Sequence, residues 1–404
     1  MRKVHYSWVV CAACTLLMFC TVGLPSSAFA VFQPYIIAVN GFTNTQAASV
    51  ITVRSVSAVI MTFMMDHVIH RLGVRTCAAL APVGIACGYF MFAMSRSYYV
   101  YIVAAAVVGA FYAMGGMLLV SMIIARWFNS HRAFAYSICT AGTGLAVVVA
   151  PPIVTLLAEN FSLRAAFLAE AALMIFAALV AGLLVRNNPE EKGLTAYVTG
   201  GDKGTPVKVY RDNKVPFALL AAGCLGCLII GGITNYNSTH VASLFRDHGM
   251  DPMHVSTIIS AHGLTLMIFK FVYGRVVDAK GGKLANLLFS AAGIIGHVVL
   301  YFAALWSSFP LGCISMAVIG IGLPLGTVGV TVVATELSTK ENFPRNLKFM
   351  QSIYSIGALA YSIVPGVIAD LCGSYDPSVV LSLGMFIAYG VLMHLVFIQS
   401  KKLR

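Results

Sequence analysis

Twelve apolar stretches, each about long enough to cross a hydrocarbon layer as a helix, run the length of this chain and leave few folds open to it. They fall at roughly 7–32, 46–69, 76–94, 98–124, 133–157, 163–185, 216–239, 253–277, 284–307, 310–335, 347–371 and 378–399. Hydrophobicity is continuous within each stretch rather than alternating, so these are helices and not barrel strands. Only 10% of the 404 residues are charged, against about 25% in a soluble domain, so the chain needs hydrocarbon around it as well as inside it. The one long polar segment, Arg186 to Val215, divides the stretches six and six. The expected architecture is an all-α membrane protein with two pseudo-symmetric six-helix bundles, 1–186 and 216–404, joined by a central loop at 187–215.

Charge sets the expected orientation. Of 26 Lys and Arg, 21 lie on the same side of the spans as the N-terminus, and three (Arg96, Arg164 and Arg246) lie on the other. Arg54 and Lys270 are inside spans. This asymmetry predicts a multi-pass inner-membrane protein with both termini and the central loop in the cytoplasm. The net charge of +12 then reflects topology, and no nucleic-acid partner is expected. Arg2-Lys3, the apolar run and Ala28-Phe29-Ala30 imitate a signal peptide. The run from Trp8 to Phe32 is longer than the 7–15 residues typical of such a segment, so the first helix is expected to be retained. All ten cysteines lie in apolar segments and read as free thiols. Cys224-x-x-Cys227 has no second pair beside it, and neither a metal site nor a cofactor is expected. No H-E-x-x-H, paired aspartates or G-x-S-x-G appears, so the chain does not read as an enzyme.

The halves repeat. Asp66-His-Val-Ile-His70-Arg71-Leu-Gly73-Val-Arg75 aligns with Gly274-Arg-Val-Val-Asp278-Ala-Lys-Gly281-Gly-Lys283 at an offset of 208 residues, each closing the second helix of its half. Parallel halves of this kind are a transporter plan, with a binding site expected at mid-membrane between them.

On these residues the chain resembles the major facilitator superfamily, whose loop between the second and third helices reads G-x-x-x-D-[RK]-x-G-[RK]-[RK]. The second-half copy fits through Gly274, Asp278, Gly281 and Lys283. The first-half copy departs from it, with His70 at the aspartate position and Asp66 at the glycine position. The resemblance implies a conformational gate at these loops, with Asp66 one turn from the missing aspartate. Arg126-Trp-Phe-Asn-Ser-His-Arg132, Gly142, Gly144, Pro151-Pro152 and Asn188-Pro-Glu-Glu-Lys-Gly-Leu194 are similar to the monocarboxylate transporter and oxalate–formate antiporter branch. In that branch a basic residue four before the loop glycine of the eighth helix holds the substrate carboxylate, and Lys270 stands there. The second lysine of the oxalate transporters is replaced by Tyr354, and the proton-coupling aspartate of the monocarboxylate transporters by Leu266.

Ions within spans are costly and mark candidate sites. Lys270 reads as a point-charge anchor for an anion or as a lysine snorkelling to the headgroups, and it cannot make the bidentate fork of arginine. Arg54 lies deeper, 16 residues before His70. It reads as substrate-attracting, as paired with Glu170, or as snorkelling outward. His262 is the repeat mate of Arg54 and sits two turns before Lys270; with an ordinary pKa near 6.5, a histidine suits a coupled proton. Glu170, His240 and His297 are its rivals, whereas Glu336 reads as a gate or a loop-side ion pair. Asn235-Tyr236-Asn-Ser-Thr-His240 is a polar run that lipid will not accept. Tyr35, Tyr112 and Tyr354 are candidate hydroxyl donors to a carboxylate. Gly23-Leu-Pro25, Gly115-Gly116 and Gly320 to Gly326 suggest bends or close helix crossings.

Together these readings predict a monomeric secondary active transporter of a small organic anion, foremost a monocarboxylate, working by alternating access with or without protons. The rivals are an exporter of amphipathic compounds and an anion exchanger of the oxalate–formate type. The fifth helix lacks the G-P-x-x-G-G kind of motif expected of drug–proton antiporters, which counts against the exporter.

Overall fold

A computed structural model describes residues 5–128, 132–197, 215–339 and 341–402. Among them, twelve helices are long and apolar enough to cross a membrane: α1 Tyr6–Asn40, α2 Asn44–Met65, α3 His67–Met94, α4 Tyr98–Trp127, α5 Ile138–Asn160, α6 Leu163–Leu184, α7 Phe217–Thr239, α8 Pro252–Val277, α9 Gly282–Leu305, α10 Phe309–Glu336, α11 Arg345–Cys372 and α12 Asp376–Lys402. These follow the twelve apolar stretches of the sequence. The chief departure is α1, which runs on to Asn40, where Gly41 closes it at φ 70°. Its 35 residues span about 50 Å, more than the hydrocarbon thickness requires. The chain forms two compact units, Met1–Phe42 with Ser49–Thr205, and Thr43–Ala48 with Pro206–Arg404.

In the first unit, α1 is not a uniform helix. It passes through a π-helical segment, Phe19–Gly23, immediately before Pro25, which has no N–H to give. Hydroxyls in and just after this irregular stretch bond to backbone carbonyls. Thr21 Oγ1 donates to Leu17 O at 2.8 Å and to Gly115 O at 2.9 Å, and Ser27 Oγ donates to Gly23 O at 2.8 Å. The α4 helix is interrupted in turn at Gly115-Gly116. Gly23 lies so close to Ala146 of α5 that a Cβ there would overlap it. A buried aromatic group (Phe32, Tyr89, Phe92 and Phe167) fills the space among α1, α3 and α6, with the Phe32 and Phe167 ring centroids 4.3 Å apart. The beginning of the central loop is anchored to this unit. Tyr197 N donates to Trp127 O at 2.9 Å, and Trp127 Nε1 to Arg186 O at 3.2 Å.

The second unit repeats the plan. Gly231 of α7 meets the Tyr354 carbonyl of α11, and both residues stand 208 positions after Gly23 and Ala146. The α10 helix changes to 3₁₀ geometry over Leu323–Gly326, and α11 breaks at Ser362 before Pro365. The unit also takes in Thr43–Ala48, where the amides of Asn44 and Thr45 donate to the Asp370 carboxylate at 3.1 and 2.8 Å.

The loop repeat read from the sequence is a repeat of backbone shape. Gly73 has φ 78° and ψ 159°, and Gly281 has φ 85° and ψ 160°. An L-residue rarely adopts either, which accounts for glycine at both positions. The side chains of Asp66 and Asp278, singled out as gate residues, lie outside the described residues; their backbones are helical.

Candidate functional site

Arg54 occupies a buried seat built by four helices of the first unit. Its backbone lies against Gly109 of α4, so close that a Cβ on that glycine would strike the Arg54 carbonyl. Its guanidinium donates to the Pro25 carbonyl of α1, beyond the π segment. It also rests over two rings, Phe29 at 5.6 Å and Tyr112 at 5.9 Å from the centroids, with Tyr89 of α3 nearby. Tyr112 comes just before the Gly115-Gly116 interruption, and Ser26 Oγ reaches its hydroxyl at 3.4 Å. A carbonyl and two aromatic faces are partners that a guanidinium accepts in place of an anion. Among the described residues no carboxylate lies within ion-pair distance of Arg54, so the pairing with Glu170 considered from the sequence is not what the structure holds.

Glu170 sits instead beside Tyr89, 5% exposed, and neither carboxyl oxygen has a hydrogen-bond partner of ordinary geometry. The Tyr89 hydroxyl beside it is likewise buried. Tyr35 is engaged at the far end of α1, donating to Glu159 Oε1 at 2.7 Å.

In the second unit the ammonium of Lys270 has no hydrogen-bond or ion-pair partner among the described residues, although the side chain is half-buried. Two turns earlier on the same helix His262 is 3% exposed, and its Nδ1 lies 3.2 Å from Met316 O. Gly320 of α10 lets the His262 backbone approach, as Gly109 does for Arg54. These repeat mates thus share a kind of crossing while bearing different side chains.

The histidine rivals are held by main-chain breaks and helix contacts. At the break in α11, Gly366 N turns to Ile363 O rather than to Ser362 O. His240 Nε2 meets that oxygen at 2.9 Å, while its Nδ1 is buried without a partner. His297 gives Nδ1–H to Gly293 O at 2.8 Å, leaving Nε2 to accept from Asn237 at 3.2 Å and Ser382 at 3.1 Å. The Asn235 side chain and carbonyl accept from Thr239, and the Tyr236 hydroxyl lies 3.4 Å from Ser378 Oγ. Much of the polar run at the end of α7 is therefore internal cement. Tyr354 is half-buried beside Gly326.

Sequence reasoning missed the acceptor of Arg54. A carbonyl leaves no trace in residue identity, although the Gly23-Leu-Pro25 irregularity was a pointer to it. At the loop, Arg75 donates from its backbone to Asn187 Oδ1 at 3.1 Å and from its guanidinium to Gly182 O at 3.0 Å. His70 and Arg71 are exposed. On the second copy, Gly274 and Gly281 have open space where a Cβ would stand, and Lys283 is exposed. Glu336 accepts from Ser400 at 2.8 Å. The ten cysteines are free, with Cys11 and Cys139 sulfurs 3.6 Å apart.

The sequence model of the Major Facilitator Superfamily matches residues 15–243 and 225–404. Monocarboxylate transporter 13 of Bos taurus is 23% identical over 271 residues, 66% of this chain and 60% of that protein. Monocarboxylate transporter 12 of Homo sapiens is 27% identical over 169 residues, 40% of this chain and 31% of that protein. The matches thus span about 60% or less of these relatives' length. Among solved structures, the nucleoside transporter NupG superposes with a TM-score of 0.73 at 16% identity, over 99% of this chain and 100% of that one. The D-xylose–proton symporter superposes with a TM-score of 0.74 at 13% identity, over 97% of each chain. These structural likenesses establish the fold, and no enzyme is among the proteins named. With the family model covering nearly the whole sequence, this multi-pass membrane protein belongs to the major facilitator superfamily.

Proposed function

We propose that this chain is a secondary active transporter of a small organic anion, foremost a monocarboxylate, working by alternating access in the inner membrane with both termini in the cytoplasm. The observation that carries this reading is Lys270, a lysine within a membrane span whose ammonium has no partner among the described residues. A charge kept at such depth calls for water or a counter-ion, and a carboxylate is the simplest cargo to supply one. Arg54 adds a second positive charge inside a span, again without a carboxylate against it. Such a field favours anions over sugars or cationic compounds. The similarity to proteins named monocarboxylate transporters supports the same substrate class.

In this reading Lys270 is the anchor and Arg54 draws the anion. Glu170 is the carrier of a coupled proton, because the N–H groups of His240 and His262 already meet backbone oxygens. The test is a thermal-shift screen of small mono- and dicarboxylates on the native chain and on Lys270→Ala, followed by counterflow of the labelled hit in liposomes. Stabilisation by an acid that disappears in the variant, with counterflow in the native protein alone, is the expected result. An equal response from both proteins removes Lys270 as the anchor.

A further inference from the structure

The second unit holds a cavity of about 490 Å³ at its lysine-rich end, apart from Lys270 and the histidines. It opens where α8 turns into α9 and where α12 finishes. Three lysines line it, Lys280, Lys283 and Lys401, all exposed, with no carboxylate within ion-pair distance among the described residues. The wall also holds Glu336, which accepts from Ser400. The α9 helix, 24 residues long, begins in this cavity at Gly282, with no acidic residue in its first turn and no side chain capping its free amides. That end of a helix carries partial positive charge, which adds to the three lysines.

The remaining wall is apolar and faces outward. Leu284 and Leu287, three residues apart and therefore on one face of α9, are 38% and 46% exposed on a helix otherwise suited to lipid. Phe397 of α12 is 4% exposed, and a Cβ on Gly282 would come within 2.7 Å of its ring. The volume is that of a small-molecule site, far more than an inorganic phosphate fills.

We propose that this cavity binds an anionic phospholipid, with the phosphodiester among Lys280, Lys283 and Lys401 and the first acyl carbons along Leu284 and Leu287. Three cations with an apolar track leading into the bilayer match a lipid headgroup, whereas a free phosphate would leave the track unused. Lys283 also belongs to the loop motif, so the test rests on the other two lysines.

The full chain, purified in detergent, is incubated with equal amounts of phosphatidylglycerol and phosphatidylcholine, and retained lipid is read by native mass spectrometry. The native protein is expected to keep phosphatidylglycerol at least tenfold over phosphatidylcholine. Lys280→Gln/Lys401→Gln loses that preference, and the charge-keeping Lys280→Arg/Lys401→Arg retains it. Lys348→Gln, an exposed basic residue outside the cavity, leaves it unchanged. Should the double variant not fold, as judged by size-exclusion profile and helix content, Lys401→Gln alone is expected to lower the preference severalfold. Added inorganic phosphate or glycerol phosphate at millimolar concentration is expected not to displace the lipid, and displacement would reassign the site to a soluble phosphate. An equal loss in Lys348→Gln, or no preference in the native protein, overturns the proposal.

Discussion

Arg54 and Lys270 both lie well inside their membrane spans, seven or more residues from either end, and their surroundings could hardly differ more. Arg54 is 9% exposed, bonded to a carbonyl and seated over two rings. Lys270 is half-buried with an ammonium that nothing among the described residues engages. One charge is already accommodated by its own bundle, and the other has all three donors to offer. Under the proposed function the difference gives them different tasks: a fixed source of positive potential in the first unit, and a free hand for a ligand in the second.

The sharpest way to break this contrast is to truncate both. Losing one partner of a hydrogen-bonded charge pair costs about 2–5 kcal/mol, so Lys270→Ala should lower uptake by at least roughly 30-fold while leaving the melting temperature of the empty protein close to native. Arg54→Gln should do the reverse in proportion. Its hydrogen bond to Pro25 and its ring contacts are lost, so stability falls by about 1.5–3 kcal/mol as transport falls. Differential scanning fluorimetry on the same two preparations, with and without the acid, decides the matter. If Lys270→Ala destabilises the empty protein as much as Arg54→Gln, the assigned tasks are wrong.

Glu170 sharpens the comparison from the first unit's side. Glu170→Gln keeps shape and burial but cannot exchange a proton. It is expected to preserve counterflow while uptake loses its response to an imposed pH gradient, measured in liposomes of set internal pH. Persistent gradient-driven accumulation in that variant would return the coupled proton to a histidine.

The smallest effect separates the repeated loops. Both Gly73→Ala and Gly281→Ala strain a positive φ, at about 1 kcal/mol. Only at Gly73 does a new Cβ also meet a neighbour, Asn187 Oδ1, at 2.8 Å. Gly73→Ala should therefore lower the melting temperature further, and the order of the two is the readout.

Much of the architecture was legible before any coordinates, because a membrane allows so few solutions. Twelve stretches became twelve helices, and the offset of 208 that aligns the loops also aligns Gly23 with Gly231 and Ala146 with Tyr354. The candidate site was legible only along each helix. Spacing gave the depth of Arg54 and the turn relation of His262 to Lys270, since a helix fixes both. It gave nothing of what stands across the helix. That Pro25 offers its carbonyl to Arg54, that Tyr35 turns to Glu159, and that His240 answers a break in α11 all depend on which neighbour fills each gap. Those partners come from distant sequence, and several of them are main-chain oxygens that every residue possesses.

The wide turn in α1 has a consequence of its own. A stretch wound five residues to the hydrogen bond accommodates one residue more than the regular spiral, and each residue turns the helix by about 100°. Pro25 and Phe29 thus owe their aim at the guanidinium to a single supernumerary residue rather than to what they are. Removing one position between Phe19 and Gly23 would straighten the rod and swing both away, with every side chain beyond the deletion unaltered in kind. What α1 presents to its bundle is therefore adjustable by length alone.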